Sequence, residues 1–404
     1  MPDLDTLKTT AGLDLNGKRV LLRADLNVPV KDGKVTDATR LERLLPGLRN
    51  LTGRGARVIL ISHFGRPKGG PDPRYSLKPV ADRLGELLGR PVVFGADCVG
   101  EPAERTAAAL RPGQIAVLEN LRFHPGEEKN DPAFAARLAA LGDLFVSDAF
   151  STAHRAHAST DAVTALLPSY AGPLMMEEID ALRRVLDRPE RPVAAVIGGA
   201  KVSTKIALLT NLIAKVDKLI IGGAMANTFL LAQGVNVGRS LAEPELAHTA
   251  RDIVHRAKAR SCEVVLPADA VVAARLEAGA PSRTCPVLEV PGDQMILDVG
   301  PKAVAHYTDV LGRCRTLLWN GPLGAFEVPP FGEGTFQLAR FAADATAAGR
   351  LTSVAGGGDT VAALNAAGVT DRFSYVSTAG GAFLEWLEGR ELPGVAALAH
   401  ASGR

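Results

Sequence analysis

Residues 353–364, SVAGGGDTVAAL, place three glycines, an aspartate and a threonine between a short apolar run and a helical pattern. After a strand, glycines let an anion approach the backbone amides, and a helix beginning near Asp359 presents unpaired N–H groups and a positive dipole end. A carboxylate there would repel phosphate unless a cation lay between them. The stretch therefore predicts nucleotide phosphate with Mg²⁺ on Asp359, beside Thr360. A glycine turn with an N-capping aspartate is the simpler alternative.

Other apolar runs in the second half of the chain also end in glycines, as in IGGAK, IGGAM and NGPLG. In IGGAKVSTKIALL, residues 197–209, Lys201 and Lys205 are four apart near the start of a predicted helix. Two lysines on one helical face could both bind phosphate. The alternative is that this face is simply exposed to solvent. GGGDTV partly fits a dinucleotide fingerprint, but no acidic residue ends the next strand pattern, so a nicotinamide-dependent dehydrogenase is the weaker interpretation.

Short β-branched or apolar runs recur along the whole chain, separated by longer stretches rich in alanine and leucine. This alternation predicts an α/β fold of mostly parallel, doubly wound sheets flanked by helices. A chain of 404 residues is long enough for two similar-sized domains. Two prolines interrupt a helical pattern within residues 185–195, so we expect an N-terminal domain of residues 1–187 and a C-terminal domain of residues 188–390.

Polar and cationic residues follow the strand patterns of the first half. In RADLN, residues 23–27, the period of two predicts Arg23, Asp25 and Asn27 on one strand face. Further strand ends, and one helix start, supply Arg40, His63, Arg66, Arg122 and Arg155. Arginine forks bind carboxylate and phosphate, so the cluster suits a small, multiply anionic metabolite. Each of these residues alone could instead be a surface charge or a satisfied structural group.

Composition excludes several classes of protein. With 47% apolar and 22% charged residues and a net charge of +2, neither disorder nor a nucleic-acid-binding surface is indicated. The four cysteines form no metal-binding pattern and suit a reducing cytoplasm. The first residues lack a signal-peptide pattern and no long apolar run occurs. We expect a soluble, cytoplasmic protein without a membrane partner.

The motifs together resemble the phosphoglycerate kinase family over nearly the whole chain. They are RADLNVP (23–29), SHFGRPKG (62–69), ENLRFHPGEEKND (119–131), DAFSTAHRAHAST (148–160), GGAKVSTKI (198–206), WNGPLGAFE (319–327), AGGGDT (355–360) and STAGGA (377–382). The resemblance implies a monomeric glycolytic enzyme that transfers a phosphoryl group between 1,3-bisphosphoglycerate and ADP with Mg²⁺. It also implies a cleft between the two domains that closes on both ligands, and a tail, residues 391–404, that returns to the first domain.

By motif match, the resemblance assigns residues to each ligand. The 3-phosphoglycerate site would comprise Asp25, Asn27, Arg40, His63, Arg66, Arg122 and Arg155. The nucleotide site would comprise Lys201, Lys205, Gly222, Gly223, Asn320, Pro322, Glu327, Gly356, Gly357, Gly358, Asp359 and Thr360, with Asp359 also binding the metal. The catalytic residues would be Arg40, Lys205, Gly357 and Gly358. A catalytically inactive relative, or a two-domain protein that only binds nucleotide or anion, is the alternative.

Overall fold

The chain forms two compact units, seen in a computed structural model that describes residues 4–402. The first unit contains the residues up to Glu178 and those from Glu391 onward, and the second contains Ile179–Arg390. Each unit has its own six-stranded sheet with parallel pairing and flanking helices. The predicted α/β class with two parallel sheets is confirmed.

The sheet of the first unit has the strand order β5-β6-β4-β1-β7-β8. Its strands, with those of a short hairpin (β2 and β3), are β1 Arg19–Ala24, β2 Val30–Lys31, β3 Lys34–Val35, β4 Arg57–Ile61, β5 Val93–Gly95, β6 Ile115–Leu118, β7 Leu144–Asp148 and β8 Ser169–Ala171. The four central strands are short, nearly continuous apolar runs that are buried along most of their length. That pattern is typical of parallel strands covered on both faces.

The α-helices of this part of the chain are α1 Thr39–Gly53, α2 Lys78–Leu88, α3 Gly100–Ala109, α4 Pro132–Ala139 and α5 Pro173–Leu186. Short 3-10 helices cover Leu4–Thr6, Pro73–Tyr75, Leu121–Phe123, Phe150–Thr152 and Ala162–Ala165. Helix α1 buries Leu41, Leu44, Leu48 and Leu51. This spacing forms one apolar stripe of a helix. The stripe belongs to the same core as Leu22 of β1.

The sheet of the second unit has the order β11-β10-β9-β15-β16-β17, and a smaller antiparallel sheet has the order β13-β12-β14. The strands are β9 Val193–Ile197, β10 Lys218–Ile221, β11 Glu263–Val265, β12 Asp269–Ala273, β13 Ser282–Pro286, β14 Met295–Val299, β15 Thr316–Asn320, β16 Thr352–Gly356 and β17 Tyr375–Ser377. The α-helices are α6 Ile206–Leu212, α7 Gly223–Ala232, α8 Ala247–Ala259, α9 Pro301–Gly312, α10 Glu333–Ala347, α11 Gly358–Ala366 and α12 Gly381–Leu387. Short 3-10 helices cover Val202–Thr204, Pro244–Leu246, Val287–Glu289 and Thr370–Arg372.

The division between the units falls inside α5, between Glu178 and Ile179. The seam expected at residues 185–195 lies further along the chain, at the end of this helix and the start of β9. The last helix, α13 Pro393–Ser402, lies in the first unit, where Gly394 N–H donates to the carbonyl of Ala153 (2.9 Å). Within residues 4–402, no helix is both long enough and apolar enough to cross a membrane.

Candidate active site

The side chains expected to bind an anion lie at one edge of the first sheet. Strands β6, β4, β1 and β7 are neighbours and run parallel, so the loops that follow them meet at the same edge. These loops carry Asp25, Asn27, His63, Arg66, Arg122 and Arg155, and the first turn of α1 adds Arg40. We call this group, together with Arg23 of β1, the arginine surface.

Arg40 is held by the residues that follow β1. Its Nη1 donates to Asp25 Oδ2 (2.9 Å) and to the carbonyl of Asn27 (2.9 Å). Ser151 also donates to Asp25 Oδ2 (2.6 Å), and Asn27 Oδ1 accepts from Gly65 N–H (2.9 Å). The guanidinium group of Arg40 is therefore held in place by the partly buried carboxylate of Asp25.

The expectation that Asp25 and Asn27 share a strand face with Arg23 is wrong. Strand β1 ends at Ala24, and Asn27 N–H donates to Asp25 Oδ1 (3.0 Å). Such a local side-chain bond replaces the ladder of the sheet with a turn. The two residues are therefore placed by this turn and by its contacts with neighbouring loops.

Arg23 lies beneath the arginine surface with 1% of its area exposed. Its Nε donates to Ser159 Oγ (2.9 Å) and its Nη2 donates to His63 Nδ1 (3.1 Å). Ser159 in turn donates through Oγ (2.6 Å) and N–H (3.0 Å) to the fully buried carboxylate of Glu127. Burial lowers the pKa of Arg23 and raises that of Glu127, while their attraction opposes both shifts.

Glu127 and Ser159 were not singled out from the sequence as site residues. The available signal was their position inside two of the longest motifs, HPGEEKND and HRAHAST. Ser159 contacts Arg23, which is 136 residues away along the chain, and Glu127 acts on Arg23 through its charge.

The two histidines near these arginines are held neutral. Burial, and then Arg23 and Arg122, keep the pKa of His63 well below its usual range. Burial, and then Arg122 and Arg155, lower the pKa of His157 to about 4. The guanidinium groups are therefore close enough to act on the same imidazoles, and the edge carries concentrated positive charge. A multiply charged anion would relieve that repulsion.

Glycines follow four neighbouring strands, β10, β9, β15 and β16, in the second unit. We call the residues 198–199, 222–223 and 356–358, with Lys205 and Asp359, the glycine surface. A Cβ on Gly223 would lie 2.6 Å from the carbonyl oxygen of Gly199, so only glycine allows these loops to touch. Gly357 has a φ of 100°, which a side chain would strain, and it immediately precedes α11. The predicted helix start beside Asp359 is confirmed.

Asn320, the last residue of β15, connects the elements of the glycine surface. Its Nδ2 donates to the carbonyl of Gly356 (2.7 Å), and its Oδ1 accepts from Lys205 Nζ. Gly321 N–H, one residue further, donates to Thr360 Oγ1 (2.7 Å). Burial lowers the pKa of Lys205, while Asp359 opposes that shift by its negative charge. Lys205 and Asp359 thus place a cation and a carboxylate near the start of α11.

The expectation that Lys201 and Lys205 share an α-helical face is wrong. Residues 202–204 form a 3-10 turn, Lys201 has an extended backbone, and α6 begins only at Ile206. In this turn Glu243 accepts hydrogen bonds from the backbone N–H and the hydroxyl of Ser203. Lys201 is exposed and Lys205 is half-buried.

A cavity of about 320 Å³ opens beside the glycine surface, within the second unit. Among its walls are Gly223, Pro322, Glu327 and Asp359, all expected at a nucleotide site. Leu241, Leu276 and Met295 add an apolar wall that was not predicted from the sequence. Apolar walls with a few polar groups are typical of small-molecule sites. The exposed Asp359 carboxylate offers the hard oxygen ligand that Mg²⁺ prefers.

The fold and these two surfaces define an α/β protein that gathers cationic side chains and glycine amides at the carboxyl ends of two parallel sheets. The phosphoglycerate kinase family model matches residues 10–390. Phosphoglycerate kinases of Methylorubrum extorquens and Rhodospirillum centenum are 61% and 59% identical over 98% and 97% of this chain, and 99% of each relative is covered. The chain belongs to the phosphoglycerate kinase family and is a kinase, as the motifs led us to expect.

Solved structures agree with this assignment. Phosphoglycerate kinase from Coxiella burnetii matches with a TM-score of 0.91 at 43% identity, and that from Pyrococcus horikoshii with 0.82 at 30%. Each comparison covers 98% of this chain and 99% of the other.

An anion bound at the arginine surface should raise the pKa of His157 from about 4 by about one unit or more, because negative charge favours the protonated imidazole. NMR titration of the histidine ring protons, with and without saturating 3-phosphoglycerate, measures this shift. His255, in the second unit, is the control and should not respond. An unchanged His157 titration at saturation would show that the anion binds elsewhere.

Proposed function

We propose that this chain catalyses the reversible transfer of a phosphoryl group from 1,3-bisphosphoglycerate to ADP, giving 3-phosphoglycerate and ATP, with Mg²⁺. In the reverse direction the carboxyl group of 3-phosphoglycerate is the acceptor. The observation that carries this proposal is the pairing of an arginine surface on one sheet with a glycine surface on the other, in a chain of this family. Guanidinium groups suit a small polyanion, and bare amides at a helix start suit nucleotide phosphates.

The arginine surface would hold 3-phosphoglycerate. Arg66, Arg122 and Arg155 supply charge for its phosphate and carboxylate, while Asp25 and Asn27 supply acceptors for its hydroxyl. Arg40 would stabilise the phosphoryl group during its transfer, because its Nη1 is already fixed by Asp25. His63, neutral and adjacent to Arg23, would offer a hydrogen bond without adding charge.

The glycine surface would hold the nucleotide. Lys201 and Lys205 would supply positive charge, the amides of Gly357 and Gly358 would bind the phosphates, and Thr360 supports the turn. Asn320 and Glu327 would contact phosphate and ribose, and Gly222, Gly223 and Pro322 would border the adenine. Mg²⁺, held by Asp359, would supply neutralisation of phosphate charge.

The reaction needs no catalytic base, because the attacking carboxylate or ADP oxygen is already ionised at neutral pH. Catalysis is then a matter of positioning and of neutralising charge that develops on the transferred group. Arg40, Lys205 and the amides of Gly357 and Gly358 are the groups that would do this.

We further propose a cytoplasmic monomer that closes when both substrates are bound. Closure excludes water, which would otherwise hydrolyse the acyl phosphate. Solution X-ray scattering should show a smaller radius of gyration with 3-phosphoglycerate and Mg·ADP together than with either alone. A scattering curve that both ligands leave unchanged would contradict closure.

Turnover of the purified chain with Mg·ATP and 3-phosphoglycerate, coupled to NADH oxidation through 1,3-bisphosphoglycerate, tests the proposed reaction. Asp359→Ala should lower turnover by about a hundredfold or more, because it removes the metal ligand. Asp371→Ala, at an exposed aspartate of the same unit, is the matched control and should leave turnover unchanged. An inactive wild-type chain that still binds both ligands would identify an inactive relative instead.

Arg40→Ala should lower kcat by about 10²- to 10³-fold with little change in the midpoint of thermal unfolding, because it removes charge from the transferred group rather than from the core. Arg49→Ala, on the exposed face of the same helix, is the control. A kcat within about twofold of wild type would refute the role given to Arg40.

A further inference from the structure

A second cavity, of about 480 Å³, lies within the first unit and takes no part in the proposed reaction. It is bordered by α1, by the start of α5 and by residues 9–11, and side chains from β1 and β7 reach its walls. Most of the lining is aliphatic, including Leu22, Leu44, Leu48, Leu51, Val146 and Met176. None of its walls comes from the arginine surface. Its volume is in the range of small-molecule sites.

One carboxylate, that of Asp148 at the end of β7, interrupts this apolar lining. The residue is only 4% exposed. Its Oδ1 accepts hydrogen bonds from the N–H groups of Leu174 (2.7 Å) and Met175 (3.1 Å) at the start of α5. Its Oδ2 receives no hydrogen bond from residues 4–402. Asp148 thus caps a helix with one oxygen and has the other available.

The space beside Oδ2 is kept open by Gly47 on α1. A Cβ at this position would lie 3.9 Å from Asp148 Oδ2 and 3.1 Å from Pro173 Cγ. Gly47 and Asp148 both line the cavity. The missing side chain therefore leaves room next to the oxygen that lacks a partner.

The charged groups around Asp148 do not neutralise it. Arg43 and Glu177, which face it from α1 and α5, form an ion pair with each other (3.1 Å). Arg54, on another wall of the cavity, donates Nη2 to the carbonyls of Thr10 (2.8 Å) and Leu13 (2.5 Å). In the described part of the chain, no lysine or arginine forms an ion pair with Asp148.

An unpaired buried carboxylate is costly, and a ligand that brings a positive hydrogen-bond donor removes that cost. Burial raises the pKa of Asp148 to about 6, against the two backbone N–H donors and Arg43, which favour the charged form. We propose that the cavity binds a small primary amine with an aliphatic or aromatic body, whose ammonium group donates to Asp148 Oδ2. A carboxylate ligand would be repelled, and a neutral alcohol offers only a weaker donor.

The test uses three compounds of one shape: cyclohexylmethylamine, cyclohexylmethanol and cyclohexanecarboxylate. Isothermal titration calorimetry on the full chain, near neutral pH, should give an affinity for the amine at least about tenfold above that for the alcohol. The carboxylate should not bind measurably. Equal affinities for amine and alcohol, or no binding of the amine to the folded chain, would overturn the proposal.

Asp148→Asn removes the negative charge but keeps the helix cap, because asparagine still offers an oxygen to the N–H groups of α5. It should abolish the preference for the amine over the alcohol. Asp131→Asn is the matched control, since Asp131 caps α4 through Ala133 and Phe134 and does not line the cavity. A preference for the amine that persists in Asp148→Asn would overturn the proposal.

Two further readouts keep the test decisive if Asp148→Asn does not fold. Met176→Trp fills the cavity from its wall and should weaken amine and alcohol alike. In the wild-type chain, amine affinity should rise as the pH increases through about 6, where Asp148 loses its proton. Unaltered binding to Met176→Trp, or amine affinity independent of pH, would overturn the site. All these readouts measure binding, so they are independent of the proposed kinase reaction.

Discussion

The buried carboxylate of Glu127 is the interaction on which the arginine surface depends. It accepts two hydrogen bonds from Ser159, whose hydroxyl in turn accepts from Arg23, and Arg23 donates to His63. This chain of contacts leaves Nδ1 of His63 as an acceptor and fixes the ring as neutral. The negative charge of Glu127 attracts the buried Arg23 and also Arg122. It thereby offsets part of the repulsion among the guanidinium groups that face a ligand.

The arginine surface and the glycine surface use different groups to supply positive charge for an anionic ligand. In the first unit the positive charge comes from long side chains, which are held in place by carbonyls and carboxylates of neighbouring loops, as Arg122 is by Gly65 (2.8 Å). In the second unit it comes mainly from backbone amides, and Asn320 fixes their geometry by bonding both Gly356 and Lys205. Side chains can match the shape of a small polyanion, whereas amides at a helix start suit any phosphate.

The features that sequence predicted were those set by local patterns. Apolar runs and glycines located the strands and the start of α11, and the motifs identified the family. The errors arose where side-chain hydrogen bonds accompany a different local structure, as the bond between Asp25 and Asn27 N–H does just after β1. The 3-10 turn before Lys205 is bonded through Ser203 to Glu243, forty residues along the chain, and no pattern near residue 203 predicts that contact. Glu127 and Asp148 were missed as key groups for the same reason, since their partners are defined only by the fold.

The most direct test of the account is a crystal structure of the chain grown with 3-phosphoglycerate and Mg·ADP. We expect the phosphate and carboxylate oxygens of 3-phosphoglycerate within about 3 Å of the guanidinium groups of Arg66, Arg122 or Arg155. We expect the ADP phosphates at the amides of Gly357 and Gly358. Density for 3-phosphoglycerate on the glycine surface, or for ADP phosphates away from α11, would contradict the assignment of 3-phosphoglycerate to the arginine surface and of the nucleotide to the glycine surface.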